Sequence, residues 1–163
     1  MEQDTPLSFR IEPATPADKD RITALFFADM VDLGLTPSQT ELSRVTSMVF
    51  EDDRFRNNTV LRVARRDDGL IIGLVMAQPF LSIKFPGEAL WIEELYVVPE
   101  YRRFGVGRRL VEDLLTWAES AGYRGVDLEA YRMNTAASIL YRSLGFRRLA
   151  RERYSYAIGE EGA

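Results

Sequence analysis

Two adjacent glutamates in an apolar segment are the first residues whose types and spacing suggest acid–base chemistry. Glu93 and Glu94 lie in LWIEELYVV, residues 90–98, which is apolar on both faces and therefore typical of a central strand in a covered sheet. Burial there raises the pKa of a carboxyl group and suits a general base. The alternative is that each glutamate pairs with an arginine or faces a cleft opened by a bulge. Simple alternation gives two faces: Trp91, Glu93, Leu95 and Val97 on one, and Leu90, Ile92, Glu94, Tyr96 and Val98 on the other.

A turn rich in glycine and arginine follows this strand. The residues RRFGVG, 102–107, lead into GVGRRLVEDLLTWAESAG, whose apolar spacing predicts a helix. The first turn of a helix presents unpaired N–H groups and the positive end of the helix dipole, which suits a phosphate. The alternative is a tight turn with solvated arginines. No Walker A string occurs, and the dinucleotide pattern G-x-G-x-x-G lacks its third glycine, so a Rossmann-type nucleotide enzyme is a weaker alternative.

A third group of polar residues shares one face of the segment NTAASILYRSLG, residues 134–145. At about 100° per residue, Asn134, Ala137, Ser138 and Tyr141 form a small polar face beside the apolar stripe of a helix. Such a face suits a ligand that lies along the helix. The alternative is an ordinary N-cap at Asn134 and an aromatic ring at the boundary of a core.

The elements that must position these groups follow from periodicity and turn signals along the chain. Strands are predicted at FRIEPAT, TVLRVARR, LIIGLVMAQPF, ALWIEELYVV, GVDLEAY and ARERYSYAIG. Helices are predicted at PADKDRITALFFADM, PSQTELSRVTSMVF and the two segments named above. The residues Asp67-Asp68-Gly69 predict a hairpin between the second and third strands. The order β-α-α-β-β-β-α-β-α-β predicts a mixed α/β sheet with helices on both faces, in a single domain over residues 1–163.

Composition excludes several classes of function. The chain of 163 residues is 46% apolar and 28% charged, with a net charge of -4. It contains no cysteine and no histidine, which removes disulfides, thiol nucleophiles, imidazole triads and nearly every zinc site, so no metal is expected. The negative charge argues against a nucleic-acid partner. No apolar run is long enough for a membrane span and the N-terminus is acidic, so we expect a cytoplasmic protein without a membrane partner.

Three segments together resemble the GNAT superfamily of acetyl-CoA-dependent N-acetyltransferases. RRFGVG is similar to the R/Q-x-x-G-x-G/A loop of that family, IEELYVVPEYRR to the fourth strand before it, and NTAASILYRSLGF to the N-x-x-A-x-x-x-Y-x-x-x-G-F segment. Residues 91–146 carry the resemblance. It implies a mixed, mostly antiparallel central sheet flanked by helices, in which the fourth and fifth strands form a splayed parallel pair.

The resemblance also implies acetyl-CoA as the cofactor. The family pattern assigns the pyrophosphate to N–H groups from Arg103 to Arg108 and the pantetheine to the strand edge near Leu95 and Val97. The coenzyme contacts implied are Leu95, Tyr96, Val97, Arg102, Arg103, Phe104, Gly105, Val106, Gly107, Arg108, Asn134, Ala137 and Tyr141.

In the family, a glutamate at the position of Glu93 commonly serves as the general base, and Glu94 is the reserve candidate. Tyr141 is the expected general acid, because a phenol of pKa about 10 can protonate a leaving thiolate whose conjugate acid has a pKa of about 8.5. Without cysteine or histidine, direct transfer in a ternary complex is the simpler route.

The acceptor is expected to be a primary amine of a small molecule, such as a polyamine, an amino acid or an aminoglycoside-like compound. The acceptor contacts expected are Phe27, Asp29, Phe85, Trp91 and Glu94, because carboxylates attract a cation and aromatic rings line a pocket. Three alternatives stay open: a solvated helix face for the acidic residues, a peptide or protein amine as the acceptor, and a non-catalytic acyl-CoA sensor. The resemblance also implies a homodimer.

Overall fold

The computed structural model describes residues 6–159, which form a five-stranded sheet and five α-helices. The strands are β1 Phe9–Pro13, β2 Val60–Arg66, β3 Ile71–Ser82, β4 Gly87–Val97 and β5 Val126–Leu128. The helices are α1 Lys19–Asp32, α2 Gln39–Glu51, α3 Asp53–Arg56, α4 Val106–Ser120 and α5 Thr135–Ser143. The chain forms two compact units, one that ends at Glu129 and contains the sheet, and one that begins at Ala130 and contains α5. The single domain expected over residues 1–163 stays a prediction.

The sheet has the strand order β1-β2-β3-β4-β5 and is antiparallel except for β4 and β5. The turn at Asp67-Asp68-Gly69 closes the β2–β3 hairpin, since the Gly69 N–H donates to the Arg66 carbonyl at 2.9 Å. β5 pairs with β4 only from Leu90 to Ile92, so the two parallel strands separate beyond Ile92. The predicted fold class, with its splayed fourth and fifth strands, is therefore confirmed.

Helices cover both faces of the sheet because each presents an apolar stripe to it. α4 buries Val106, Leu110, Val111, Leu114 and Ala118, and α1 buries Ile22, Leu25 and Phe26. The first group packs with Leu90 and Ile92 of β4, and the second packs with Tyr96 of the same strand. Each buried aliphatic side chain contributes about 1.5–3 kcal/mol, so the two cores together fix β4 between α1 and α4.

A β-bulge in β4 changes which side chains share a face. Met76 of β3 pairs with Glu94 and Ala77 pairs with Ile92, which leaves Glu93 without an opposite residue. One extra residue reverses the alternation of side chains beyond it. The faces given by simple alternation are therefore wrong. In the structure, Leu90 and Ile92 lie in one core with Leu95 and Val97, while Tyr96 and Val98 lie in the other.

Two further elements differ from the prediction. The segment ARERYSYAIG, residues 150–159, forms no strand, and its apolar side chains Tyr154, Tyr156 and Ile158 are exposed. Alternation alone does not make a strand, because a strand also needs a neighbouring edge to satisfy its backbone groups. The short helix α3 was not predicted, since a single helical turn carries too little periodicity to be recognised.

The helices within residues 6–159 are all too short or too polar to cross a lipid bilayer. In the same part of the chain, we find no group of three or more acidic, histidine or cysteine side chains that could hold a metal ion.

Candidate active site

Two carboxyl groups meet where α1 lies against β4. Asp29 continues the buried stripe of α1, because it follows Ile22 and Phe26 at helical spacing. Glu94 is the first residue after the bulge in β4 and turns toward the same helix. The interaction between these two carboxyl groups affects the pKa of each of them. The bulge and the stripe of α1 therefore bring together two acidic residues that are 65 positions apart in the sequence.

The Glu94 carboxyl group is held in its protonated form. Burial, followed by the charge of Asp29 and the hydrogen bond to it, raises the pKa of Glu94 to about 8. The Leu95 N–H, which donates to Glu94 Oε1 at 3.1 Å, acts in the opposite direction. Burial also raises the pKa of Asp29, but the hydrogen bond from Glu94 stabilises the Asp29 carboxylate. With a pKa of about 8, Glu94 is therefore mostly protonated at neutral pH.

A second polar contact links α1 to β4 one helical turn further on. The Tyr96 hydroxyl donates a long hydrogen bond of 3.4 Å to Asp32 Oδ2, and Arg102 donates to the same oxygen at 3.2 Å. The Arg102 guanidinium also lies over the Tyr96 ring, 5.4 Å from its centroid. Burial and the nearby Asp32 raise the pKa of Tyr96. The helical spacing of Ile22, Asp29 and Asp32 in the sequence could have indicated this contact, because it places both aspartates toward the side of α1 that packs on the sheet.

Glu93 lies in a different environment from Glu94. Its side chain is exposed, and its Oε2 accepts a hydrogen bond from Trp91 Nε1 at 3.0 Å. The expectation that both glutamates are buried is therefore wrong for Glu93, because the bulge leaves this residue outside the strand ladder. The carboxyl with a raised pKa, which the sequence suggested at either position, occurs at Glu94, which is half-buried.

The glycine-rich turn has the backbone that an anion site needs. Gly105 has a φ of +79° and precedes α4, and Arg103 has a φ of +69°. As in every helix, the first N–H groups of α4, from Val106 onward, have no partner within the helix. Gly105, at the N-cap position, has no side chain that could accept a hydrogen bond from them. Two of the arginines bind elsewhere, since Arg102 contacts Asp32 and Arg108 lies 3.3 Å from Glu112. Phe104 is exposed.

The edge of β4 that faces β5 is open beyond Ile92. The Val98 N–H donates to Ile72 in β3, so alternation places the backbone groups of Leu95 and Val97 on the opposite edge. The Leu95 N–H and the Val97 carbonyl each form a hydrogen bond with a side chain of this protein. The Leu95 N–H donates to Glu94, and the Val97 carbonyl accepts from Arg102 Nε at 2.8 Å. These are the edge groups that the sequence assigned to pantetheine.

The remaining acceptor candidates lie on different elements, Phe27 in α1, Trp91 in β4 and Phe85 in the turn between β3 and β4. Phe27 and Trp91 are half-buried. Phe85 lies in the β3–β4 turn, with its ring against Gly125 and Lys84 Nζ 4.4 Å from the ring centroid. The turn is separated from Glu94 by seven residues of extended strand, or roughly 20 Å. The structure therefore joins Asp29 and Glu94 and does not bring Phe85 to them.

In the second unit, α5 begins as its sequence suggested. Asn134 is the N-cap, and its side chain accepts a hydrogen bond from the Ala137 N–H at 3.0 Å. The Tyr141 ring packs edge-on against Phe146, with 5.7 Å between the ring centroids. Asn134 thus has the capping role that was the alternative to ligand binding. The roles predicted for Ala137 and Tyr141 stay predictions.

Residues 23–146 match the model of the acetyltransferase (GNAT) family. N-acetyltransferase family 8 member 3 of Rattus norvegicus is 31% identical over 88 residues, which are 54% of this chain and 39% of that protein. The [ribosomal protein bS18]-alanine N-acetyltransferase of Escherichia coli is 41% identical over 69 residues, covering 41% of this chain and 47% of that one. The chain therefore spans less than half the length of these relatives.

The fold is also that of a solved acetyltransferase. AAC(6')-Iy in complex with the bisubstrate analogue CoA-S-monomethyl-acetylneamine superposes with a TM-score of 0.75 at 17% identity, over 92% of this chain and 98% of that one. At this identity the likeness concerns the fold alone. The part of the sheet with the splayed strands and the glycine-rich turn lies within the residues that the family model matches.

Proposed function

Since this chain belongs to the acetyltransferase (GNAT) family, we propose that it transfers an acetyl group from acetyl-CoA to a primary amine of a small molecule. Transfer occurs by direct attack in a ternary complex, because the chain has no cysteine or histidine to carry the acetyl group. The observation that carries the proposal is the half-buried Glu94 carboxyl, with its raised pKa, beside the open edge of β4.

Glu94 is the proposed general base. An alkyl ammonium has a pKa of about 10 and cannot attack a thioester until it loses a proton. The pKa of Glu94, about 8, is closer to the pKa of the ammonium than the pKa of an ordinary carboxyl group is. Proton transfer from the ammonium to Glu94 is therefore less unfavourable. Glu93, which the resemblance favoured, is exposed and bonded to Trp91, and we therefore place it second.

The proton balance of the reaction is simple. Glu94 in its ionised form, which predominates above its pKa of about 8, takes one proton from the ammonium, and the free amine attacks the carbonyl carbon of the acetyl thioester. The C–N bond forms and the C–S bond breaks. Tyr141, the proposed general acid, gives its proton to the departing thiolate and is reprotonated by the second proton that the nitrogen loses. The products are the acetamide and the free thiol.

The glycine-rich turn and the β4 edge fit an acyl-CoA. The uncapped start of α4 supplies N–H groups for the pyrophosphate, which supports the contacts predicted from Arg103 to Arg108. The open edge at Leu95 and Val97 supplies backbone groups for the amides of the pantetheine arm. In this structure those groups bond Glu94 and Arg102, so binding there requires these two side chains to exchange partners.

The acceptor is proposed to be a small cationic amine, because α1 presents Asp29 and Asp32 on the side where Glu94 lies. An aminoglycoside-like amine stays one of the acceptors predicted from the sequence, since the likeness to AAC(6')-Iy concerns the fold alone. A peptide or protein α-amine is the alternative, favoured by the 41% identity with the alanine N-acetyltransferase of Escherichia coli. The homodimer and the cytoplasmic location expected from the sequence stay predictions.

The test is turnover of acetyl-CoA, followed by thiol release, over a panel of polyamines, amino acids, aminoglycosides and short peptides. Glu94→Gln and Glu93→Gln form a matched pair, since both remove one charge from neighbouring positions. We expect Glu94→Gln to lower kcat/KM about 100-fold or more and Glu93→Gln to have a small effect. The reverse order would identify Glu93 as the base. Tight coenzyme A binding without turnover of any amine would favour the sensor alternative.

A further inference from the structure

The Val97 carbonyl, one of the two edge groups proposed to pair with the pantetheine arm, is already occupied by a side chain. Arg102 Nε donates to this oxygen at 2.8 Å. A single helical turn, Pro99–Tyr101, follows β4 and folds the chain back, and the Arg102 N–H donates to the Pro99 carbonyl at 3.2 Å. A pantetheine amide that pairs with the Val97 carbonyl must therefore compete with Arg102.

The other side of the same guanidinium is bound by Asp32 of α1. Arg102 Nη2 donates to Asp32 Oδ2 at 3.2 Å, and the two side chains are 48% and 45% exposed. Asp32 is the last residue of α1, where a carboxylate faces the negative end of the helix dipole, and the last turn of this helix contains no basic residue. Arg102 therefore supplies the cation that this end of α1 lacks.

Tyr96 gives the Arg102 guanidinium a fixed surface. Its ring is buried in the core that α1 forms with the sheet, and Arg102 Cζ lies 5.4 Å from the ring centroid. The Tyr96 hydroxyl donates a longer hydrogen bond, 3.4 Å, to the same oxygen of Asp32. Arg102 is thus held by the Val97 carbonyl, the Tyr96 ring and Asp32, and Asp32 is the only one of these three groups that carries a charge.

We propose that Asp32 is a positioning residue that acts through Arg102: it holds the guanidinium on the Val97 carbonyl, so that this edge group stays occupied until the pantetheine arm displaces it. This inference rests on the proposed function, in which the β4 edge takes the pantetheine arm. It gives Asp32 a role in coenzyme affinity, beyond the amine contact proposed for α1. Asp32 weakens coenzyme binding, because a guanidinium anchored at both sides is harder to displace.

The test compares coenzyme A with 3′-phosphoadenosine 5′-diphosphate, which is coenzyme A without its pantetheine arm. The Kd of each ligand is measured by calorimetry for the wild type, Asp32→Asn and Glu100→Gln. Both substitutions remove one negative charge near the glycine-rich turn, but Glu100 is exposed and lies two residues before Arg102. A general effect of charge on an anionic ligand changes the Kd of both ligands by the same factor.

Asp32→Asn should lower the Kd of coenzyme A about threefold to fivefold more than it lowers the Kd of the shorter ligand, because only the complete coenzyme displaces Arg102. The factor is modest, since half-exposed ion pairs contribute little. Glu100→Gln should change both ligands by the same factor. An equal factor for both ligands in Asp32→Asn would reduce Asp32 to a surface charge and overturn the inference. Weaker binding of coenzyme A to Asp32→Asn would overturn it as well.

The Arg102 Nε–H gives a readout that requires no ligand and no turnover. Its exchange with water can be followed by NMR in the wild type and in Asp32→Asn, with Arg102→Lys for assignment. We expect slow exchange in the wild type and faster exchange in Asp32→Asn, because the bond to the Val97 carbonyl is held less firmly. Equal exchange in the two proteins overturns the inference, whatever the affinities.

These measurements separate the inference from the proposed function. An extra gain for coenzyme A in Asp32→Asn supports the inference even if no amine is acetylated, and that result would count against acetyl transfer. Acetylation of an amine with equal factors for the two ligands keeps the proposed function and removes Asp32 from coenzyme binding. If coenzyme A binds none of the three proteins, the coenzyme site and this inference fail together.

Discussion

Arg102 donates a hydrogen bond from Nε to the carbonyl oxygen of Val97 at 2.8 Å, and this contact joins the glycine-rich turn to the open edge of β4. The same guanidinium bonds Asp32 of α1. A residue that the sequence assigned to the coenzyme thus also connects α1, β4 and the turn. The planar fork of arginine permits both bonds at once, whereas an ammonium group is a point charge without that geometry.

Arg102→Lys should therefore lower the free energy of unfolding by about 1 kcal/mol, although it keeps the charge, because one of the two bonds is lost. The measurement is urea unfolding at neutral pH. Arg54→Lys is the control, since Arg54 pairs with Asp52 on the surface and such pairs contribute little. Equal effects of the two substitutions would mean that Arg102 does not connect these elements.

The raised pKa of Glu94 predicts how stability changes with pH. Its pKa lies near 8 in the folded protein and at 4.5 as an ordinary glutamate, so the folded state binds more protons between these values. Stability contributed by this group is therefore present below about pH 4.5 and is lost as the pH rises toward 8. Glu94→Gln removes the dependence, because glutamine does not titrate.

We expect Glu94→Gln to gain stability relative to the wild type between pH 5 and pH 8, by roughly 2 kcal/mol after allowance for the part of the group that solvent reaches. Denaturant unfolding of both proteins at the two pH values measures this difference. The exposed Glu93→Gln is the matched control and should show no comparable gain. A constant difference between Glu94→Gln and wild type would mean that Glu94 is not buried as a neutral acid.

Substitutions of the two glycines at the ends of α4 can distinguish an effect of backbone strain from an effect on ligand binding. Gly105 before the helix and Gly122 after it have φ values of +79° and +86°, and an added Cβ would meet no atom within 4 Å at either position. Alanine at either site should cost about 1–2 kcal/mol of stability, because L-residues disfavour this region. Only Gly105→Ala should also weaken coenzyme A binding measured by calorimetry, since only Gly105 begins the anion site. Equal affinities of the two variants would remove the turn from the coenzyme site.

The Phe85 ring and Gly125 form a packed pair. A Cβ on Gly125 would lie 2.5 Å from the ring, which is too close for any real contact. Gly125→Ala should therefore lower the free energy of unfolding by about 1–3 kcal/mol through overpacking. In a Phe85→Ala background the same substitution should cost much less, because the ring is gone. A double-mutant cycle with no coupling would show that Phe85 does not rest on Gly125.

The bulge at Glu93 marks the limit of what could be predicted about the site. Alternation along LWIEELYVV located both glutamates on a central strand but gave them equivalent environments. The insertion of one residue against β3 left Glu94 half-buried and Glu93 exposed. A bulge depends on the register between two strands, and no pattern within β4 alone encodes that register.

The last predicted strand failed for a related reason. Alternation in residues 150–159 describes how side chains would be distributed if a strand formed, but a strand is stabilised by its neighbours. The β2–β3 hairpin succeeded because its turn is local, and three residues with the right backbone preferences are sufficient to specify it.

The sequence by itself determined the order of the five strands and of the four longer helices, the hairpin, the glycine-rich start of α4 and the family, because these depend on short-range spacing and residue type. Only the tertiary structure decided that Glu94 is the half-buried carboxyl with a raised pKa, that Asp29 contributes to that pKa and that Arg102 joins the turn to α1. Burial, pKa and hydrogen bonding at these positions are set by residues distant in the chain, which only the packed sheet and helices bring into contact.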